Sequence, residues 1–171
     1  MRRILGRIDQ KARGRLGQYA AQCGLATVAC LAIMLSLDLM IRHVVIMASL
    51  GATTFIVFAM PQGRTAQARS LAVGYLLGGA MGCLLSLLVG PLTSLVGCRE
   101  DIPRVVLGAL AVGLSTFGMV LLDAEHPPAA GFALGLVLRS WAWIDLGFVS
   151  LSVLLLILTR LALRRRLVDL L

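Results

Sequence analysis

Charge is scarce in the middle of this chain, aromatic side chains are few, and no cysteines stand at C-x-x-C spacing. Charged residues make up 14% of the 171 positions, whereas a soluble domain carries roughly 25%. With 59% hydrophobic residues and a mean hydropathy of +0.94, the composition excludes an ordinary soluble domain and demands a bilayer. Neither a nucleophile elbow, nor a P-loop, nor an H-E-x-x-H motif occurs, so the common enzyme signatures are missing and no enzyme is expected. Cys23, Cys30 and Cys83 lie inside apolar runs and Cys98 lies apart. They read as small packing residues, with no disulfide, metal or cofactor implied.

Positive charge is what remains. The net charge of +8 invites a nucleic-acid partner, but six of the sixteen Lys/Arg lie in residues 1–15 and four more at Arg160, Arg164, Arg165 and Arg166. Basic residues crowded at the ends are cytoplasmic membrane flanks meeting anionic headgroups, and nucleic acid is excluded as a partner. The first 19 residues place Ile4, Ile8, Ala12, Leu16 and Tyr19 at three- to four-residue spacing among Arg and Lys. That pattern suits either a helix lying on the bilayer surface or a solvated tail. The apolar run that follows, 20–41, is too long for a signal-peptide core and is expected to stay as a span.

Five runs are long enough or nearly so to cross: 20–41, 44–60, 71–96, 105–122 and 143–159. A sixth, 127–140, would reach only about 21 Å as a helix against a hydrocarbon core of roughly 30 Å, and it opens with Pro127-Pro128. If it does not cross, basic residues divide almost evenly between the two sides. If it does, twelve lie on the side of both termini and four (Arg42, Arg99, Arg104, Arg139) on the other, which fits the positive-inside rule. The expected fold is therefore all-α: a polytopic transmembrane helical bundle of five full spans plus one short or broken helix. Residues 1–19 form a basic cytoplasmic amphipathic segment, 20–160 the transmembrane domain and 161–171 a basic cytoplasmic tail.

Six elements divide three plus three, which permits an inverted pseudo-repeat whose second elements are the short ones, 44–60 and 127–140. His43 and His126 stand at their starts, with small residues at 48–54 and 127–131. Paired short or Gly/Pro-interrupted segments point to a transporter's binding site. Gly74, Gly78 and Gly82 form a four-residue-spaced ridge, repeated by Gly131 and Gly135. Such a ridge admits a close neighbour, either a helix of the same chain or a second copy in a homo-oligomer.

The densest polar chemistry is D-A-E-H-P-P-A-A-G at 123–131. Pro127 or Pro128 reads as a helix start, which would aim backbone N–H groups and a partial positive charge at whatever precedes it. His126 is then either a structural loop histidine or a group that orients an anion or relays a proton. Asp123 and Glu125 would repel an anion if ionised nearby. In the other short segment Ser49, Thr53 and Thr54 offer hydroxyls, with Gly51 among them, though such groups also bond their own helix. Asp38 and Arg42 share a helix face and are expected to pair. Trp141 and Trp143 suit an interfacial anchor.

E-H-P-P-A-A-G at 125–131 resembles the signature of the HPP family of integral membrane proteins. S-L-G-A-T-T at 49–54, then Pro61, Q-A-R at 67–69 and Gly74, is similar to that family's other recognisable block. Two positions depart from it: Ala68 stands where a proline is expected, and Tyr75 where members often carry a histidine. Some members are associated with nitrite transport. The resemblance thus implies a transporter or channel for a small inorganic anion, expected in a bacterial inner membrane with both termini cytoplasmic as the charge count has it. Its site would lie between 44–54 and 126–131 and draw on His126, Pro127, Pro128, Gly131, Ser49, Gly51 and Thr53. The alternatives are a non-transporting membrane scaffold and a metal-dependent membrane enzyme using Asp123, Glu125 and His126.

Overall fold

A computed structural model describes residues 16–40, 44–97 and 99–170, and among them all regular structure is helical. The elements are α1 (Leu16–Met40), α2 (Val44–Ala59), a 3-10 turn (Arg64–Ala66), α3 (Ala68–Ser86), α4 (Val89–Val96), α5 (Asp101–Leu121), α6 (Pro127–Leu138) and α7 (Trp143–Leu163).

Prolines and glycine set most of the boundaries. Pro61 follows the end of α2, since a residue preceding proline is pushed out of the helical region. The expected single run 71–96 is two helices, α3 and α4, separated at Leu87 and Leu88. Pro91 is the reason: its ring has no N–H to give and crowds the carbonyl four residues back, at Leu87. Gly97 then closes α4 in the left-handed region, φ 65°. At α5's other end Asp123 turns the chain with φ 49°, a conformation a short polar side chain tolerates.

Three stretches are long and apolar enough to cross a bilayer: Ala68–Val96, Asp101–Leu121 and Trp143–Leu163. Shorter apolar helices cover Ala20–Ala32, Val45–Ala59 and Pro127–Leu138. Five full spans and a pseudo-repeat are thus not what the helix lengths establish. The chain alternates direction regularly all the same. Gln18 Nε2 donates to Arg166 O, Gln22 Nε2 to Val168 O, and Leu170 N to Ala59 O. Arg160 reaches Pro61 O at 2.7 Å. The start of α1, the end of α2 and the end of α7 therefore meet on one face, the terminal face. The segment after α7 is anchored there, with Leu167 buried. On the opposite face Arg104 donates to Val137 O, and Trp141 Nε1 to Ser86 Oγ. The two tryptophans meet edge to face there, 5.4 Å apart.

The twelve-residue helix α6 sits in the middle. In α6, Pro128, Ala129, Ala130, Phe132, Ala133, Gly135, Leu136 and Val137 are all buried, wrapped by α2, α3 and α5. Lipid offers no hydrophobic reward for helix association, so close packing and hydrogen bonds must supply it. The α3 ridge provides the closeness. A Cβ added at Gly78 would lie 2.3 Å from Ala129 O, one at Gly74 2.8 Å from His126 Cβ, and one at Gly82 2.9 Å from Ala133 O. The glycine ridge is thus occupied by α6 of the same chain. Large apolar side chains such as Phe117, Val120, Leu154 and Leu158 instead cover the outward faces of α5 and α7.

Candidate functional site

The site is built where α6 begins. His126 is the residue before the helix, and Pro127 and Pro128 occupy its first two positions. Neither proline has an N–H, and the next amide, Ala129, donates to His126 O at 3.0 Å. The double proline that starts the helix therefore also removes the donors an anion would seek there. Side chains supply the polar groups gathered at this end of the helix.

Those side chains converge on His126, which is wholly buried. Its Nδ1 lies 2.9 Å from Thr65 O in the 3-10 turn. A carbonyl can only accept, so Nδ1 carries the hydrogen. Nε2 lies 2.9 Å from Thr53 Oγ1. Thr53 Oγ1 is 2.8 Å from Tyr75 Oη, and Tyr75 Oη 2.9 Å from Ser49 Oγ. Ser49 Oγ donates to Pro128 O at 2.7 Å, back on α6. The loop of bonds ties α2, α3, α6 and the turn together. Ser49 and Thr53 are four apart and so share one face of α2, whereas Gly51 faces away between them. Thr54 bonds its own helix at Leu50 O.

The surroundings separate the charged groups. Arg64 Nη2 lies within 2.7 Å of both Asp123 carboxylate oxygens, and Arg69 donates to Leu122 O. Both arginines stand on the terminal face beside the turn that covers His126. Asp123 is thereby paired and directed outward. Glu125 is exposed and joins His126, Thr116, Met119, Val120, Pro127 and Ala130 around a cavity of about 220 Å³. A larger cavity of about 480 Å³ opens between α3 and α7 along Tyr75, Gly79, Phe132 and Val153. The ring of Tyr75 forms part of its wall and packs on Phe132 and His126 at centroid distances of 5.6 and 5.5 Å.

Of the residues singled out in the sequence, Ser49, Thr53, His126 and Pro128 come together. Pro127 is exposed beside them, and Gly131 approaches Ser49 with only ordinary clearance, 4.0 Å for an added Cβ. His43 and the Arg42 partner of Asp38 lie outside the described residues, as do the segment 1–15 and Cys98. Tyr75 and Thr65 are additions to the site that the sequence pattern does not anticipate. A tyrosine in a membrane-embedded run is the available signal, because its hydroxyl must find a partner when buried. Away from the site, at the opposite end of the bundle, Asp145 caps α7 by accepting from Ala142 N–H at 2.7 Å. Among the described residues no three His, Cys, Asp or Glu side chains gather as a metal site would require.

A bundle of apolar helices with a buried hydrogen-bonded junction at its core defines a polytopic α-helical membrane protein. The HPP transmembrane-region family model matches residues 12–167, nearly the whole chain, and the protein belongs to that family. No curated protein and no solved structure matches it.

Proposed function

We propose that this protein passes a small inorganic anion of the nitrite type across a bacterial inner membrane, as a transporter or channel, with its terminal face cytoplasmic. The observation that carries this reading is the buried polar junction of Ser49, Thr53, Tyr75 and His126 among apolar helices, beneath the turn on the terminal face. Polar and ionisable groups at that depth cost stability and are kept where solutes or protons pass. Arg64, Arg69 and Arg160 supply positive potential on the face from which the junction is covered, which favours the approach of an anion. Passage requires the 3-10 turn to release His126, because every donor of the junction is bonded within the protein in this closed arrangement.

The same completeness of bonding favours one second reading, a scaffold in which the junction merely locks three helices. Flux separates the two. Purified protein in liposomes should admit nitrite, nitrate or formate faster than empty liposomes, and His126→Ala should abolish the difference. Absence of flux for all three ions would remove the transport reading and leave the scaffold.

A further inference from the structure

The junction contains more close contacts than its neutral side chains have hydrogens to fill. Five contacts form its chain: Nδ1 of His126 to Thr65 O, Nε2 to Thr53 Oγ1, Thr53 Oγ1 to Tyr75 Oη, Tyr75 Oη to Ser49 Oγ, and Ser49 Oγ to Pro128 O. All five measure 2.7–2.9 Å. Each needs one hydrogen. The two terminal carbonyls bring none, a neutral imidazole brings one, and each of the three hydroxyls brings one. Four hydrogens therefore face five contacts. Thr53 Oγ1 also lies 3.1 Å from Ser49 O, which adds to the demand rather than meeting it.

We propose that the junction is a proton-binding site: one added proton on His126 completes it, converting the chain into a one-way run of donors. With both ring nitrogens protonated, Nε2–H donates to Thr53, Thr53 to Tyr75, Tyr75 to Ser49 and Ser49 to Pro128 O, while Nδ1–H donates to Thr65 O. Each of the five short contacts then holds one hydrogen, and Thr53 gives up its longer 3.1 Å approach to Ser49 O. An N–H bond forms at Nε2 as an O–H bond of hydronium breaks, the Thr53 hydroxyl turns from the ring to Tyr75, and the proton returns to water on release. Glu125, on the wall of the 220 Å³ cavity that His126 also lines, gives the proton a carboxylate between solvent and ring.

The groups facing the ring make the balance readable. From α2 it meets the hydroxyl of Thr53, from α3 the ring of Tyr75, from the turn a carbonyl, and from α5 the side chains of Thr116, Met119 and Val120 across the cavity. Arg64 is turned to Asp123 and Arg69 to Leu122 O. Burial opposes a cationic ring, and the missing hydrogen favours it. Where the transport reading holds, the proton on His126 is also the charge that balances a passing anion, and the two would bind with positive coupling.

Removing Tyr75 Oη tests the arithmetic. Tyr75→Phe deletes two contacts and one hydrogen, so three hydrogens meet three contacts with the ring neutral. Ser49→Ala does the same by a different route. The experiment is ¹⁵N imidazole NMR of the full chain in lipid nanodiscs between pH 4.5 and 8, with His126→Gln to assign the ring and His43 as the internal reference. In the native protein His126 should titrate at a midpoint about one pH unit or more above that of either variant, the size expected for one buried contact left without its hydrogen. Equal midpoints in all three proteins, or a native ring still neutral at pH 4.5, would overturn the proposal. The titration needs no anion, so a protein that carries no flux still tests proton binding in full. Conversely, equal midpoints leave the flux reading standing.

Discussion

Helix α6 has two seams of opposite character. Against α3 it packs backbone on backbone, with Gly74, Gly78 and Gly82 leaving no room for a single added carbon. Against α2 the approach is looser at Gly131 and is held by the Ser49 hydroxyl on Pro128 O. The first seam is dry and depends on shape. The second adds that polar contact to an apolar one, where Gly135 meets Val45 and Ile46. In a bilayer, where apolar burial against lipid gains little, these are the two remaining ways to fix a helix. The chain uses both on one twelve-residue element.

The comparison breaks most visibly at Gly78. Gly78→Ala puts a carbon 2.3 Å from the Ala129 carbonyl, backbone that cannot swing aside. It should cost about 3 kcal/mol despite alanine's better helix propensity. A drop in thermal unfolding temperature in detergent and loss of the monodisperse species would be the sign. An unchanged transition would mean that the seam is not tight.

On the polar seam the expected effects are smaller. Thr53→Val keeps the volume but leaves His126 Nε2 and one hydroxyl contact without a partner, a loss of about 1–3 kcal/mol. Flux should fall along with it if the junction conducts. Stability equal to that of the native protein would show that the contact contributes nothing. Arg64→Ala breaks an ion pair whose side chains are 76% and 65% exposed. Such a pair is worth less than about 1 kcal/mol, so stability should scarcely change. Any loss of nitrite flux would then report the arginine's charge rather than its bond. The least effect belongs to Gly131→Ala: with 4.0 Å of clearance, the added methyl should be neutral or stabilise by about 0.5–1 kcal/mol. Destabilisation there to the extent of Gly78→Ala would erase the contrast between the seams.

Much of this is legible along the chain, and the residues show where legibility ends. Four-residue spacing places Gly74, Gly78 and Gly82 on one face because a helix turns every 3.6 residues, and it places Ser49 and Thr53 together for the same reason. Pro127-Pro128 marks a helix start because proline fixes its own φ. The donors missing at that start are also implicit in the two prolines, although the helix dipole points the other way. Tyr75 stands out in the sequence only as a departure from a family pattern. Its position in the run gives no hint that its hydroxyl stands between Ser49 and Thr53. The break at Leu87 is hidden inside a continuous apolar run, although Pro91 holds its cause.

By itself the sequence determined the class of environment, the all-helical class of the fold and which residues share a face. Those depend on composition and on periods of a few residues, which are local properties. Only the tertiary structure decided that the glycine ridge meets α6 rather than a second chain, that Asp123 turns outward to Arg64, and that a histidine, a threonine, a tyrosine and a serine join in one run of bonds. Such pairings join positions up to 79 apart. No local rule selects them, because each contact exists only after every helix has found its neighbours.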